Sequence, residues 1–234
     1  MSQGILKSYL RRSALLFLLL LAILLIIGYT YVKDRTVWPI KSVQITTELK
    51  HIHSALVQEI VTPYIADSFF TVRMAALQQE LEQLAWVEDV SIERVWPETL
   101  RIAVHEKKPV LRWKETGLIS SKRVLFYPEE NYTANLPRLS GYDAYYNEVV
   151  SVFLQLNAAL AKVNLSIVAL DLSPRLAWSM LLSNGLHLYL GQYDIDQRLT
   201  RFIQAVDKLD LKHAQELYVD LRYTNGFALG KKKS

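Results

Sequence analysis

The sequence predicts an α+β protein in which one apolar N-terminal helix precedes two folded domains. The helix is predicted from Ser13–Val32, a run of twenty almost entirely apolar residues without a charge. Beyond it, apolar residues recur first at the period of helices and then at the two-residue period of strands. A Trp-Pro turn and an Asn-Gly pair separate later strands, as is typical of hairpins. The roughly two hundred remaining residues are enough for two small domains.

The apolar run is long enough to cross a bilayer. At about 1.5 Å per residue, a helix over residues 13–32 covers the roughly 30 Å hydrocarbon core, and residues 1–12 form a short tail before it. Tyr29, Tyr31 and Trp38 suit the aromatic belt at a membrane surface. We therefore predict a single transmembrane helix.

Two alternatives compete with this anchor. Ala14–Ile27 is short enough to be the core of a cleavable signal peptide, and a buried core helix is the other alternative. Cleavage is disfavoured because Gly28–Val32 contains no small-x-small site.

The flanking charges predict the orientation of the helix. Each side carries three basic residues, namely Lys7, Arg11 and Arg12 before the run and Lys33, Arg35 and Lys41 after it. Asp34 dilutes the later group, whereas the tail contains no acid. This asymmetry favours a cytoplasmic N-terminus, a single-pass type II topology and C-terminal domains outside the cytoplasm.

Composition excludes several classes of protein. The chain has 234 residues and a mild net charge of +4 that is spread along it, so a nucleic-acid surface is not indicated. It has no cysteine, which excludes disulfides and thiolate metal sites and fits an exported bacterial domain.

The first domain is predicted over residues 38–109. Alternation at Val43, Ile45 and Thr47 predicts a strand, and Ser54 is placed to cap a short helix that Pro63 would end or bend. A second helix has its apolar stripe at Met74, Leu77, Leu81, Leu84 and Ala85. Two alternating segments around the turn 96–99 then predict a hairpin, so the element order is strand, helix, helix, strand, strand.

The second domain is predicted over residues 110–234 as an antiparallel sheet backed by helices. Val149, Phe153, Leu156 and Leu160 mark one helix, and a second begins after Asp194, which is placed to cap it. Between them, Asn184-Gly185 predicts a hairpin with a type I′ turn, in which both central residues need positive φ. Alternation over 217–223 predicts a further strand, and residues 227–229 form a short terminal one.

No catalytic motif is present. The sequence lacks a G-x-S-x-G elbow, an H-E-x-x-H zinc helix and a Walker phosphate loop, so we predict no enzyme, no cofactor and no metal. His51 and His53 could share a strand face as metal ligands, but no third ligand is evident. Asp220 and Arg222 could pair with each other or contact a partner.

One segment carries a family resemblance. It contains Trp86-Val87 after a helix, Arg94-x-Trp96-Pro97 at a turn, and a strand that ends in Glu106-x-x-Pro109. This pattern resembles the signature of the FtsQ/DivIB family of bacterial cell-division proteins, within that family's POTRA (polypeptide-transport-associated) domain. The resemblance implies a POTRA domain and architectural roles for the seven named residues.

The resemblance continues through Val219–Ala228 and implies the family's C-terminal β domain. It departs from the family where glycines are expected, at Thr46–Leu49 and Asp67–Phe70, and where relatives carry a tryptophan, at Lys231. The resemblance further implies a non-enzymatic scaffold of the inner membrane at the division septum, with FtsB-like and FtsL-like partners. The competing classes are a membrane-tethered periplasmic enzyme and an outer-membrane assembly or two-partner secretion protein, whose long barrel this sequence lacks.

The main partner site is predicted at the end of the chain. A terminal strand is normally a sheet edge, to which another chain can add a strand. The segment offers Tyr223, Asn225, Gly226, Phe227 and Gly230. The resemblance adds Arg175, which precedes Trp178. The alternative is that Tyr223 and Phe227 only close the hydrophobic core.

Overall fold

The computed structural model describes residues 2–34, 36–129, 132, 135–209 and 214–231. The side chains of the basic flank Lys7, Arg11 and Arg12 lie outside the described part. The chain divides into two compact units, residues 1–107 and 108–234. Each unit is built around its own sheet.

The first unit begins with the apolar helix α1, Ser2–Lys33. In the described part of the chain, its segment Leu15–Lys33 is the one stretch long and apolar enough to cross a membrane. The helix buries none of this segment against the protein, because the apolar side chains of this stretch point outward all round. A soluble core helix would hide them, so the buried-helix alternative is not supported.

The rest of the first unit has the predicted strand, helix, helix, strand, strand order. Its elements are β1 Ser42–Ile45, α2 Ser54–Ile65, α3 Met74–Glu82, β2 Val87–Val95 and β3 Thr99–Glu106. The central strand is β3, which pairs parallel with β1 and antiparallel with β2. The core lies between the sheet and the two helices and includes Val57, Leu77, Leu81, Leu100 and Ile102.

Two local expectations for α2 are not met: Ser54 does not cap the helix, and the helix does not end at Pro63. Ser54 is the first residue of the helix rather than its cap, and the cap position, His53, makes no side-chain capping bond. Pro63 lies inside α2, which continues to Ile65. The packing of Val57 and Val61 against the domain holds the helix regardless of these local signals.

In the residues that the structure describes, the second unit is a nine-stranded sheet covered by two α-helices. The strand order across the sheet is β12-β11-β10-β9-β8-β7-β4-β5-β6. The elements in chain order are β4 Pro109–Trp113, β5 Gly117–Ser120, β6 Leu125–Phe126, β7 Arg138–Ser140, α4 Tyr146–Ala161, β8 Ile167–Leu172, β9 Trp178–Leu182, β10 His187–Gly191, α5 Ile195–Ala205, β11 Leu217–Asp220 and β12 Ala228–Lys231.

This sheet is mixed, whereas the sequence predicted an antiparallel one. The pairs β4 with β7, β7 with β8, and β10 with β11 are parallel. Two of these pairs are joined by a helix, α4 between β7 and β8 and α5 between β10 and β11. A helical crossover returns the chain to the same end of the sheet, so the next strand runs parallel.

The β9–β10 hairpin is confirmed, but its turn type is wrong. Gly185 has φ of +85°, whereas Asn184 is not among the residues with positive φ. The Gly185 N–H donates to the Leu182 carbonyl at 2.9 Å, and Leu186 N–H donates to Asn184 Oδ1 at 3.1 Å. The turn thus resembles a type I turn closed by a left-handed glycine.

The core of the second unit lies between the sheet and helices α4 and α5. The α4 stripe is buried as predicted, with Phe153, Leu156 and Leu160 inside, and Leu188 and Leu190 of β10 face it across the core. Asp194 is the N-cap residue of α5, as predicted from the sequence, but its side chain makes no capping bond.

Candidate functional site

The candidate site is the free edge of the larger sheet, at β12. This strand pairs with β11 in antiparallel register from Asp220↔Ala228 to Leu217↔Lys231, and it is the last strand in the sheet order. The prediction of a terminal edge strand is therefore confirmed. An edge strand presents backbone groups that a second chain can match.

Apolar side chains are exposed along this edge. Tyr223 is 58% exposed and Leu229 is 45% exposed, and Asn225 is exposed beside Tyr223. Phe227 differs from these residues, because it is half-buried and packs against the core cluster. Phe227 therefore helps to close the hydrophobic core, whereas Tyr223 does not.

Arg201 of α5 positions the loop that precedes β12. Its Nη1 group donates to the carbonyls of Tyr223, Thr224 and Gly226 at 3.2, 2.6 and 3.4 Å. One guanidinium bound to three carbonyls orders a loop that has no regular structure of its own. Sequence reasoning did not assign this role to Arg201, because the partners lie more than twenty residues away.

The two glycines of the predicted site have different surroundings. A Cβ added at Gly226 would meet no atom within 4 Å, so the fold does not require glycine there. A Cβ at Gly230 would lie 2.5 Å from the Tyr218 ring, which covers Gly230 from the neighbouring strand. Gly230 therefore makes room for an aromatic ring within the chain.

Asp220 and Arg222 pair with each other at the end of β11. Arg222 donates through Nε and Nη2 to the two carboxylate oxygens at 2.8 and 2.6 Å. These bonds from Arg222 lower the pKa of Asp220, although burial opposes the shift. The guanidinium also lies 5.9 Å from the centre of the Tyr189 ring. With Tyr223, the pair lines a shallow hollow beside the edge.

Arg175 lies at the same end of the sheet as this hollow. It occupies the exposed turn between β8 and β9, and Trp178 at the start of β9 pairs with Gly191 at the end of β10. Because β10 and β11 are parallel, the loop after β11 leaves the sheet at that end too. The fold thus brings Arg175 and Tyr223 to one end, two strand positions apart.

Glu106 of the first unit holds a loop through its carboxylate. The backbone N–H groups of Lys50, His51 and Ile52 donate to it at 2.9 to 3.0 Å, and His51 Nδ1 lies 2.9 Å from Oε2. Burial opposes ionisation, but the bonds from His51, Lys50 and Ile52 outweigh it and lower the pKa of Glu106. Glu106 thereby ties the connection between β1 and α2 to the end of β3.

Arg94 holds a second loop in the same unit. Its guanidinium donates to the carbonyls of Phe69, Phe70 and Val72 at 2.8, 3.3 and 3.2 Å. These carbonyls belong to the connection between α2 and α3, in which the Thr71 and Val72 N–H groups also donate to the Ser68 carbonyl at 3.0 and 2.9 Å. The arginine therefore adds donors from β2 to the loop's own turn bonds.

The other motif residues differ in burial and in the element to which they belong. Trp86 is buried and stacks on His51 with 3.9 Å between ring centroids, and Val87 is buried at the start of β2. Pro109 begins β4 of the second unit. Trp96 and Pro97 form the exposed β2–β3 turn, and Trp96 is 72% exposed.

The structure gives no support for metal binding at the two histidines. His51 is engaged with Glu106 and Trp86, and the strand that would have aligned it with His53 ends at Ile45. Among the described residues, no cluster of three or more metal-ligating side chains occurs.

Comparison with known proteins identifies the two units. The family model for the FtsQ-type POTRA domain matches residues 38–107, and the model for the C-terminal region of cell division protein FtsQ/DivIB matches residues 111–222. A cell division protein FtsQ of Coxiella burnetii is 34% identical over 90% of this chain and 88% of its own length. The same protein of Allochromatium vinosum is 34% identical over 94% of this chain and 89% of its own length. The cell division protein FtsQ of Burkholderia pseudomallei is 30% identical over 92% of this chain and 88% of its own length.

These matches cover both units and agree with the motifs around Trp86, Arg94 and Glu106. They also agree with the strand, helix, helix, strand, strand order of the first unit. The chain therefore belongs to the FtsQ family of cell-division proteins, with an FtsQ-type POTRA domain followed by an FtsQ/DivIB C-terminal domain.

Proposed function

We propose that this chain is a membrane-anchored, non-enzymatic scaffold of the bacterial division machinery. The helix α1 crosses the inner membrane with its N-terminus in the cytoplasm, and both domains lie in the periplasm at the septum. The C-terminal domain binds an FtsB-like and FtsL-like complex by accepting a strand at the edge of β12. The family membership supports the division role, and the free edge supports the mode of binding.

The observation that carries the proposal is the exposed edge with its ordered approach loop. Arg201 holds the loop in one conformation before any partner arrives, which reduces the entropy lost on binding. Tyr223 then presents an aromatic side chain next to the edge, the type of residue that dominates interface energetics. The open surroundings of Gly226 leave room for a partner backbone.

The arrangement also supports a binding role over an enzymatic one. Glu106, Arg94 and Arg201 are each engaged with several backbone groups of their own chain. A general acid or base needs a proton-accepting group that is free to face a substrate. These three side chains are hydrogen-bonded to loop backbone groups instead.

Co-purification tests the docking site. Tyr223→Ala in the full-length chain should lower capture of an FtsB-like and FtsL-like complex by tenfold or more, because an interface aromatic is worth about 2 kcal/mol or more. The matched control is Tyr127→Ala, which removes a tyrosine of similar exposure, 54%, beyond β6 at the opposite edge of the sheet. Equal capture by both variants would contradict the assigned edge.

Reporter fusion tests the topology. An enzyme that is active only outside the cytoplasm should be active when fused after Ser234, and the full-length chain should resist carbonate extraction from membranes. Appearance of a soluble product that lacks the first thirty or so residues would instead establish the signal-peptide alternative.

A further inference from the structure

Two aromatic side chains of the POTRA domain are left in solvent by the domain's own fold. Trp96, at the tip of the β2–β3 turn, is 72% exposed, and Phe70, between α2 and α3, is 43% exposed. Trp96 therefore contributes little to packing within its domain, whereas Phe70 is exposed on part of its ring and contacts Trp38 and Phe69. The position of both residues relative to α1 indicates what they contact.

The connection that carries Phe70 is bonded to the last turn of α1. Ser68 Oγ donates to the Val32 carbonyl at 2.9 Å. Two edge-to-face ring contacts continue the link, from Tyr31 to Trp38 and from Trp38 to Phe70, with centroids 6.3 and 5.2 Å apart. Phe70 therefore lies beside the point where α1 ends.

The β2–β3 turn that carries Trp96 lies at the same end of the domain. The chain leaves α1 and enters β1 next to this turn, where Lys41 N–H donates to the Glu98 carbonyl at 2.9 Å and Ser42 pairs with Thr99. An ion pair between Lys41 Nζ and Glu98 Oε2, at 2.6 Å, adds to this link.

Arg94 completes the connection between the two aromatic residues. It lies two residues before Trp96 and donates to the carbonyls of Phe69 and Phe70. The turn, the α2–α3 connection and the end of α1 are therefore joined by hydrogen bonds at one end of the sheet.

We propose that Phe70 and Trp96 insert at the headgroup level of the bilayer that α1 crosses, so that the POTRA domain stands on the membrane by this end. The inference rests on the proposed membrane anchoring. Val32 belongs to the last turn of the apolar segment Leu15–Lys33, and aromatic residues are favoured where such a segment meets water. A loop bonded to that turn is held within a few ångströms of the interface.

The charges nearby favour insertion of aromatic rings over attraction to anionic lipid. Lys41 is paired with Glu98, Arg73 lies 3.8 Å from Asp67, and Lys33 at the end of α1 is followed by Asp34, so this end carries both signs together. A surface selected for anionic headgroups would carry an excess of unpaired basic residues. The proposed contact is therefore with the interfacial region of any bilayer of ordinary thickness.

Site-specific fluorescence tests the proposal, because the chain has no cysteine and single cysteine variants label cleanly. Full-length Trp96→Cys and Phe70→Cys are labelled with an environment-sensitive NBD dye and reconstituted into phosphatidylcholine vesicles. Both labels should emit at shorter wavelength than a label at the other end of β3 in the same vesicles, and both should be quenched by lipid that carries a doxyl group near the headgroup.

The matched control is His105→Cys, an exposed position near the other end of β3. Six residues separate it from Thr99, which is about 20 Å at roughly 3.3 Å per residue, so its label should show neither the shift nor the quenching. Phe70→Cys removes the ring contact between Phe70 and Trp38 and could alter the local fold. The Trp96→Cys variant is then sufficient for the test, because Trp96 is exposed and its removal costs little stability.

Carbonate extraction of the same proteoliposomes separates the two hypotheses. If the chain is retained in the membrane but the label at position 96 behaves like the label at position 105, the proposed insertion of Trp96 is wrong and the membrane anchoring by α1 is still supported. If the chain is extracted, the membrane anchoring by α1 is wrong, and the proposed insertion of Phe70 and Trp96 is wrong too because it depends on that anchoring. Retention together with quenching at 70 and 96, but not at 105, supports the inference.

Discussion

The two domains use their charged side chains in different ways. In the POTRA domain, Glu106 and Arg94 each bond to three backbone groups of a loop, so a small three-stranded sheet is completed by polar contacts. In the C-terminal domain, a continuous apolar core joins the inner strands of the larger sheet to α4 and α5. There, Arg201 orders the loop beside a free edge rather than the core.

The comparison separates residues that maintain a fold from residues that are available to a partner. Glu106 and Arg94 of the POTRA domain are bonded inside their domain, so their replacement should cost stability. Tyr223 is exposed, so its replacement should cost binding. The predictions below test this division, from the largest expected effect to the smallest.

The largest effect is expected for Glu106→Ala. Its removal leaves three backbone N–H groups without their acceptor, and bonds to a charged group are worth about 1.5–3 kcal/mol, so we expect the POTRA domain to lose about 3 kcal/mol. Hydrogen exchange should show loss of protection in residues 38–107 and not in the C-terminal domain. Glu115→Ala, which removes an 83%-exposed carboxylate, is the control and should change neither domain.

A paired glycine experiment comes next. Gly230→Ala places a methyl group against the Tyr218 ring and should destabilise the C-terminal domain by about 1–3 kcal/mol, whereas Gly226→Ala has open space and should stay within about 0.5 kcal/mol. Thermal unfolding of each domain measures both. A stable Gly230→Ala variant would mean that the Tyr218 ring moves aside freely.

Acid should weaken the POTRA domain through Glu106. Its bonded carboxylate has a lowered pKa, so its contribution to the free energy of unfolding is present above the ordinary pKa of glutamate and is lost as pH falls through the lowered value. The difference in unfolding free energy between the native chain and Glu106→Gln should therefore be largest near neutral pH and shrink in acid. A difference that does not vary with pH would show that the charge is not what holds the loop.

The smallest effect on stability is expected for Tyr223→Ala. Its side chain is mostly exposed, so the free energy of unfolding should change by about 0.5 kcal/mol or less even though partner capture falls sharply. Phe227→Ala should differ, since that ring packs partly on the core and its loss should lower the melting temperature. Equal destabilisation by the two changes would contradict the assignment of Tyr223 to the exposed edge and of Phe227 to the core.

Short-range patterns in the sequence were enough for the element order of the POTRA domain, for α4, α5 and β9–β12, and for the family, whereas β4–β8 were not predicted. The charge-free run before Val32 predicted α1, and alternation around the turn at Pro97 predicted β2 and β3, because both signals depend on neighbours within one or two turns. The motif residues Trp86, Arg94 and Glu106 indicated the POTRA domain for the same reason, since their spacing is local. That the last strand forms an edge also followed from its place in the chain.

Only the tertiary structure decided what depends on residues far apart. The parallel pairing of β10 with β11 follows from how α5 crosses the sheet, and the periodicity of a strand is the same in either direction. Asn184 lies in the predicted turn without positive φ, and Asp194 lies at the predicted N-cap position without a capping bond, because packing of the whole unit outweighs preferences worth about 1 kcal/mol. Arg201 reaches Thr224 across 23 residues, and no local pattern records such a contact.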